Sequence, residues 1–198
     1  MSEHQYLSYR GRIRALSTHE SGAVFVTSHL EGHATALYRL DSTQAQLQLH
    51  AEPLPCGASA LVANDQSLWL AGTDGLIYHA NRLKGKPKAF EGVAFTPVAT
   101  ATSNEAEVIQ LGLLAHQRLA VLQAQQLSVL NLTTGMIEQV LAFTQAATVL
   151  AVSPDGGWLA VGFAEGQVAV YQTLDQQLVL SAQAPLHQGA VTALQFEA

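Results

Sequence analysis

The chain has 198 residues, of which 48% are hydrophobic and 12% charged, and its formal net charge at pH 7 is −6. This composition excludes general disorder, and the acidic balance argues against nucleic-acid binding driven by overall charge. The lone Cys56 permits no disulfide within the chain, and the first residues lack the basic and apolar segments of a secretory signal, so we expect a cytoplasmic protein without a membrane span.

Short apolar runs separated by tight turns recur along the chain and predict antiparallel strands. They form four groups, at about residues 10–50, 57–91, 106–144 and 147–183. We expect four strands in each group, with the outermost strand of the second group near residues 86–91. Successive copies are spaced by about 40 to 50 residues, which is the period of a four-stranded propeller blade. Repeated glycine turns cut every helical alternative to about one or two turns.

The turns of the second and fourth groups have residues suited to closing hairpins. In the fourth group, Pro154 fixes its own φ angle, and the residues after it tolerate the conformations that a tight turn needs. The second group carries a similar Gly-Thr-Asp-Gly turn at 72–75. We therefore predict structural roles at these turns for Asp74, Gly75, Asp155, Gly156 and Gly166.

Two stretches, 149–156 and 186–194, resemble the WD40 repeat family, and the resemblance extends over nearly the whole chain. It implies an all-β fold: a β-propeller or half-propeller of four-stranded antiparallel WD40-like blades, within a single domain at 1–198. The chain departs from the family where a Trp-Asp pair usually stands. The pairs at that position are Tyr38-Arg39, Tyr78-His79, Leu130-Asn131 and Tyr171-Gln172.

The register of the family makes each repeat begin with the outermost strand of one blade. This register predicts an orphan outermost strand at 5–9 and an orphan innermost strand at 190–196, with four full blades between them. His187 matches the family position that braces a blade from the loop before the innermost strand. An open arc leaves apolar faces and unpaired edges, so we expect a second copy, a complementary half-propeller chain or a further C-terminal portion to cover them.

Seven of the nine basic residues fall into two clusters with a spacing of two. In an extended strand this spacing places the side chains on one face, where they can meet an acidic or phosphate-bearing partner. The alternative is a solvated edge whose charges discourage strand association. The members of the first cluster are Arg10, Arg12 and Arg14, and those of the second are Arg82, Lys84, Lys86 and Lys88.

We find no pattern of residues that predicts catalysis, a metal site or a cofactor. His29 and His33 lie close in sequence, but no further ligand completes a site of the zinc type. The motif Gly-x-Ser-x-Gly is absent, and Cys56 has no partnered base nearby in the sequence.

The pattern therefore predicts a non-catalytic scaffold for protein–protein interaction, because repeats of this kind give a rigid frame whose loops and edges bind partners. Two alternatives stay open. One is a propeller enzyme of the lactonase or quinoprotein-like kind, and the other is a ligand-sensing module of a signalling complex.

Overall fold

The residues whose side chains the computed structural model describes are 56–64, 66–81, 95–100 and 106–197. Between residues 12 and 49 it describes the backbone of four strands. All regular secondary structure in these described parts is β-strand, and the strands form four sheets of four. We call these sheets the first to fourth blades. By contact the chain divides into two compact units, Met1–Pro97 and Val98–Ala198.

The first unit holds the first blade and most of the second. The strands of the first blade are β1 (Arg12–Thr18), β2 (Val24–His29), β3 (Ala36–Asp41) and β4 (Gln46–Leu49). Those of the second blade are β5 (Ala58–Ala63), β6 (Ser67–Gly72), β7 (Leu76–Asn81) and β8 (Thr96–Thr100). The strands of each blade are hydrogen-bonded in chain order, and β1 lies against β5.

The second unit holds the third and fourth blades. The strands of the third blade are β9 (Gln110–Leu114), β10 (Arg118–Gln123), β11 (Gln126–Asn131) and β12 (Ile137–Ala142). Those of the fourth blade are β13 (Ala147–Val152), β14 (Trp158–Phe163), β15 (Gln167–Leu174) and β16 (Gln177–Pro185). Again each sheet follows chain order, and β9 lies against β13, so the first strands of these two blades are neighbours.

In the second, third and fourth blades, the second strand is the most buried element. Every residue of β6 and of β10 is buried, and so is every residue of β14 after Trp158. Such strands read as continuous apolar runs because both faces of the sheet are covered. Side chains on one face of β14 join an apolar cluster with those of the third blade; its members include Leu122, Val129, Leu150, Val161 and Phe163.

Three of the four first strands carry a bulge near their start. The register shifts between Ile13 and Ala15 in β1, between Ala58 and Ala60 in β5, and between Ala147 and Val149 in β13. The extra residue of a bulge leaves the ladder, so its side chain can bond elsewhere. In β5 the hydroxyl of Ser59 lies 3.4 Å from the carbonyl oxygen of Ala71 on the partner strand.

The fourth strand of the second blade differs from the sequence prediction. It is β8, at Thr96–Thr100, rather than a strand near 86–91, and residues 82–94 lie outside the described part of the chain. Because β8 is an edge strand, it tolerates Pro97, which has no amide to donate. β8 has exposed threonines and Pro97 in place of an apolar run, so the pattern of apolar runs did not predict it.

The predicted orphan strand at 190–196 is not a paired strand among the described residues. Residues 5–9 lie outside the described part, and 190–196 carry no strand assignment, since no other described strand pairs with them. The all-β fold of four-stranded antiparallel blades is confirmed, and the treatment of 1–198 as one domain stays a prediction.

Candidate interaction site

The segment 186–197, which we call the docked segment, lies against the fourth blade after β16. The amides of Leu186 and His187 both donate to the carbonyl oxygen of Gly166, at 3.0 and 3.2 Å. Further along, the amide of Val191 donates to the carbonyl oxygen of Phe163 at 3.1 Å, and the Val191 side chain is 5% exposed. Backbone hydrogen bonds therefore hold the docked segment to the fourth blade at its start and again at Val191.

Thr148 adds a side-chain bond to this contact. Its hydroxyl lies 2.6 Å from the carbonyl oxygen of Val191 and 3.1 Å from that of Gly162. A hydroxyl has one hydrogen to donate, so the shorter contact to Val191 is the stronger bond. Thr148 is the bulged residue of β13, and the bulge frees its side chain for this role.

Two glycines of the fourth blade allow the docked segment to approach this blade closely. A Cβ atom on Gly162 would lie 2.7 Å from the Cβ of Val191, which is closer than such atoms come in proteins. A Cβ on Gly166 would collide with the carbonyl of His187, and the φ angle of Gly166 is +84°. Glycine is therefore needed at 166 for its conformation as well as for space.

The structure brings His187 and Gly166 together through a backbone hydrogen bond and not through the His187 side chain. The His187 side chain is exposed, so the bond that the structure describes is the one from its amide to Gly166. The bracing role predicted for this histidine stays a prediction.

Asp155 and Gly156 form the predicted turn between β13 and β14. The carboxylate of Asp155 accepts bonds from the Ser153 hydroxyl at 2.5 Å and from the Gly157 amide at 3.0 Å. These bonds, the one from Ser153 first, hold the pKa of Asp155 below its ordinary value. Gly156 has a φ angle of +70°, and its carbonyl accepts the amide of Ala115 at 3.2 Å, which ties this turn to the third blade.

Asp74 belongs to a cluster that the sequence did not reveal. Its carboxylate accepts the Tyr78 hydroxyl at 2.5 Å and the Leu76 amide at 3.1 Å, while Gly75 beside it takes a φ angle of +79°. The bond to Asp74, with burial, raises the pKa of Tyr78. Burial first, and then the charge of Asp74, raises the pKa of the Cys56 thiol. This arrangement keeps the thiol protonated, so it has the chemistry of a structural rather than a nucleophilic cysteine.

His79, the residue after Tyr78, stacks on Trp69 with ring centroids 5.1 Å apart and an interplanar angle of 22°. Its Nε2 atom is buried and has no hydrogen-bond partner among the described residues. Burial lowers the pKa of this histidine. The imidazole of His79 therefore packs against the indole of Trp69.

Arg118 is the most buried charged side chain of the described residues, at 1% exposure. Its Nε donates to the carbonyl oxygen of Ala115 at 3.2 Å, and its Nη1 donates to the carbonyl oxygen of Gln176 in the β15–β16 turn. Nη2 is buried without a partner in the described part of the chain. The guanidinium therefore connects the third blade to the fourth through backbone carbonyls.

A cavity of about 150 Å³ lies between the two blades of the second unit. Aromatic rings and glutamine amides line it; among them are Phe143, Phe163, Tyr171, Gln145, Gln167 and Gln183. Phe143 and Phe163 meet edge to face, and burial raises the pKa of Tyr171. Ligand pockets commonly measure about 300 to 1,000 Å³, so this cavity is small for a metabolite.

The predicted basic clusters lie mostly outside the described residues. Arg10 and the whole second cluster, from Arg82 to Lys88, fall there. Arg12 and Arg14 are in β1, whose backbone alone is described, and Arg14 is its bulged residue. A bulge interrupts the alternation of two on which the single-face expectation depends, so a shared face for these arginines stays a prediction.

The described residues lack two further features. They contain no group of three or more His, Cys, Asp or Glu side chains placed to hold a metal ion. In the same residues, no helix has the length and apolar character that crossing a membrane requires.

Comparison with known proteins identifies the fold. No protein-family model matches the sequence, and no curated protein sequence matches it. The structure is similar to the WD40 domain of coronin from Toxoplasma gondii, with a TM-score of 0.68 and 14% sequence identity. The similarity covers 90% of this chain and 46% of that chain, so the protein spans about half the length of that structure. This likeness confirms the predicted WD40-like propeller fold.

Proposed function

We propose that this protein is a non-catalytic scaffold for protein–protein interaction, whose WD40-like blades are completed by further blades in an assembly. The observation that carries the proposal is the docked segment, with Val191 buried against the fourth blade and no described strand on its other side. The protein matches 46% of the coronin WD40 structure, which supports an arc that needs more blades. WD40-like folds generally serve protein interaction through loops and edges on a rigid frame.

Three sources can supply the missing blades: a second copy of this chain, a separate half-propeller protein, or further blades of a longer protein.

The Arg10, Arg12 and Arg14 cluster is proposed as an additional surface for an acidic partner. The second cluster, Arg82 to Lys88, is proposed as a weaker surface of the same kind. A cytoplasmic location agrees with the free thiol of Cys56.

The enzyme and sensor alternatives receive less support from the described residues. The titratable cluster at Asp74 has a protonated thiol and a protonated phenol, which suits structure rather than acid–base chemistry. The cavity beside Tyr171 is smaller than the pockets that usually hold metabolites. We therefore treat interaction as the primary function.

Sedimentation velocity and affinity capture together test the proposal. The protein should either self-associate as its concentration rises or retain a protein partner. In the second case, a variant with all three arginines of the first cluster changed to glutamate should bind that partner more weakly. A matched control changes the exposed Glu165 to glutamine. A monomer that binds no partner at any concentration, or that shows bound calcium and hydrolase turnover, would contradict the scaffold role.

A further inference from the structure

We propose that the side chain of Gln139, in the third blade, shields the free edge of β16 and so keeps a second copy of this chain from pairing with that edge. The observation that points to it is a double hydrogen bond. The carboxamide nitrogen of Gln139 donates to the carbonyl oxygen of Leu178 at 2.9 Å, and the carboxamide oxygen accepts the amide of Leu178 at 2.8 Å. The shielding role goes beyond the scaffold function proposed above and does not depend on it.

β16 is the outermost strand of the fourth blade, and one of its edges meets no described strand. Proteins commonly protect such an edge by keeping the strand short or by placing charges or proline on it. The outermost strands of the other blades have these features: β4 has four residues, β8 contains Pro97, and β12 contains Glu138. β16 has nine residues, and none before Pro185 is charged or a proline. Its edge therefore needs another kind of protection.

Exposed apolar side chains make β16 more prone to pair with another strand. Val179 and Leu180 are 45% and 50% exposed, whereas Leu178 is buried in the apolar cluster of the third and fourth blades. Two copies of an uncharged strand can lie antiparallel across a two-fold axis without like charges meeting. A second copy of this chain therefore fits the edge of β16 once that edge is open.

The Gln139 carboxamide bonds to this edge as a neighbouring strand does. In an antiparallel ladder, alternate residues direct both their amide and their carbonyl to the same side. Leu178 pairs with Thr173 on β15, yet its amide and its carbonyl are both bonded to Gln139. These two groups therefore point away from β15. A carboxamide offers a donor and an acceptor side by side, so one glutamine satisfies both groups.

The residues on either side of Leu178 leave little of the edge open. Before it, the carbonyl oxygen of Gln176 accepts a hydrogen bond from Arg118 of the third blade. After it, the register between β15 and β16 skips Ser181, which is the bulged residue of β16. A bulge interrupts the ladder and bends the strand. The straight part of the edge is therefore 177–180, and Gln139 occupies it at Leu178.

Sedimentation velocity of the variant Gln139→Leu tests the shielding role. The substitution nearly keeps the size of the side chain and removes both hydrogen bonds, so the amide and carbonyl of Leu178 become available to another molecule. We expect the variant to self-associate at a concentration at least about tenfold lower than the wild type does. Gln125→Leu adds the same leucine at an exposed position of the β10–β11 turn, and it should associate as the wild type does.

A charge on the edge distinguishes pairing through β16 from association caused by partial unfolding. Gln139→Leu combined with Leu180→Lys should associate no more than the wild type, because a lysine on an edge strand disfavours strand pairing. Gln139→Leu combined with Met136→Lys carries the same charge outside the strands, at a position that is 67% exposed. This second combination should associate as Gln139→Leu alone does.

Two kinds of result would overturn the shielding role. Equal self-association of Gln139→Leu and the wild type shows that the double hydrogen bond does not protect the edge. Stronger association that Leu180→Lys does not suppress, or that Met136→Lys suppresses as well, assigns the contact to a surface other than the edge of β16. Neither result contradicts the scaffold function, whose own test uses the protein with Gln139 intact.

Discussion

Arg118 donates a hydrogen bond from its buried guanidinium to the backbone carbonyl of Gln176, which follows it by 58 residues. Both residues adjoin tight hairpin turns. His116 and Gln117 have positive φ angles before Arg118, and Asp175 and Gln176 have them in the turn between β15 and β16. Turns of this kind match the twist of the strands they connect, so each presents its carbonyl in a fixed direction. The arginine thus fastens two rigid turns of neighbouring blades.

Replacing Arg118 should lower the free energy of unfolding, because the contact between these two turns is lost. For Arg118→Met we expect a loss of about 1–3 kcal/mol in the free energy of unfolding, because the charge-assisted hydrogen bonds to the carbonyls of Ala115 and Gln176 are lost. Arg118→Lys should not restore the loss, since an ammonium cannot reach two carbonyls in the same geometry. Urea unfolding measures the change, and Glu165→Gln at an exposed turn serves as the control. An Arg118→Lys variant as stable as the wild type would contradict the role.

Gly162→Ala should loosen the docked segment. The added methyl would lie 2.7 Å from the Cβ of Val191 and 2.8 Å from a Val149 methyl, so one of these contacts must give way. We expect a loss of about 1–3 kcal/mol in the free energy of unfolding. Limited proteolysis should also cut residues 186–197 faster.

Gly189→Ala is the matched control for this prediction. A Cβ at Gly189 would meet no atom within 4 Å, so this substitution in the docked segment should leave stability and proteolysis nearly unchanged. Equal effects of the two substitutions would show that the close approach of Val191 to Gly162 is not what holds the segment.

The strands of the second, third and fourth blades were largely readable from the sequence. The fourth blade was the clearest: its apolar run from Trp158 and its glycine turns coincide with β14 and the turns around it. Such strands can be predicted from the sequence because a strand buried on both faces must be apolar at almost every position. The sequence pattern did not predict β8, since its edge position tolerates Pro97 and exposed polar residues.

The contacts that define the site were less predictable. Arg118 bonds to a backbone carbonyl far along the chain, and a carbonyl leaves no signature in the sequence. The Asp74–Tyr78 bond had a local signal, because Asp74 lies in a hairpin turn and Tyr78 in the strand that follows it. Its link to Cys56 depends on the loop that leads into β5. Residues 190–196 pair with no described strand, so the orphan strand predicted there stays a prediction.

Cys56 should react slowly with alkylating reagents. Burial first, and then the charge of Asp74, raises the pKa of its thiol, so little of the reactive thiolate forms at neutral pH. In Asp74→Asn the charge is removed while burial stays, so iodoacetamide should modify the native protein several times faster. Mass spectrometry follows the reaction, and Glu165→Gln is the control for a lost surface charge. A rate in Asp74→Asn equal to that of the control would show that Asp74 does not govern the thiol.

The stability of the protein should depend on the protonation of His79. Burial lowers its pKa in the folded state below the ordinary value of 6.5, so the unfolded chain binds more protons on this residue near and below that pH. Stability that is present above pH 6.5 is therefore lost as the pH falls through the window below it. His79→Phe keeps a ring against Trp69 but cannot be protonated, so its urea midpoint should fall less between pH 7.5 and pH 5.5, a range of about one unit on either side of the ordinary histidine pKa. The exposed His187→Gln is the control, and it should retain the full dependence of the wild type. Identical pH profiles for His79→Phe and the wild type would assign the acid sensitivity to other groups.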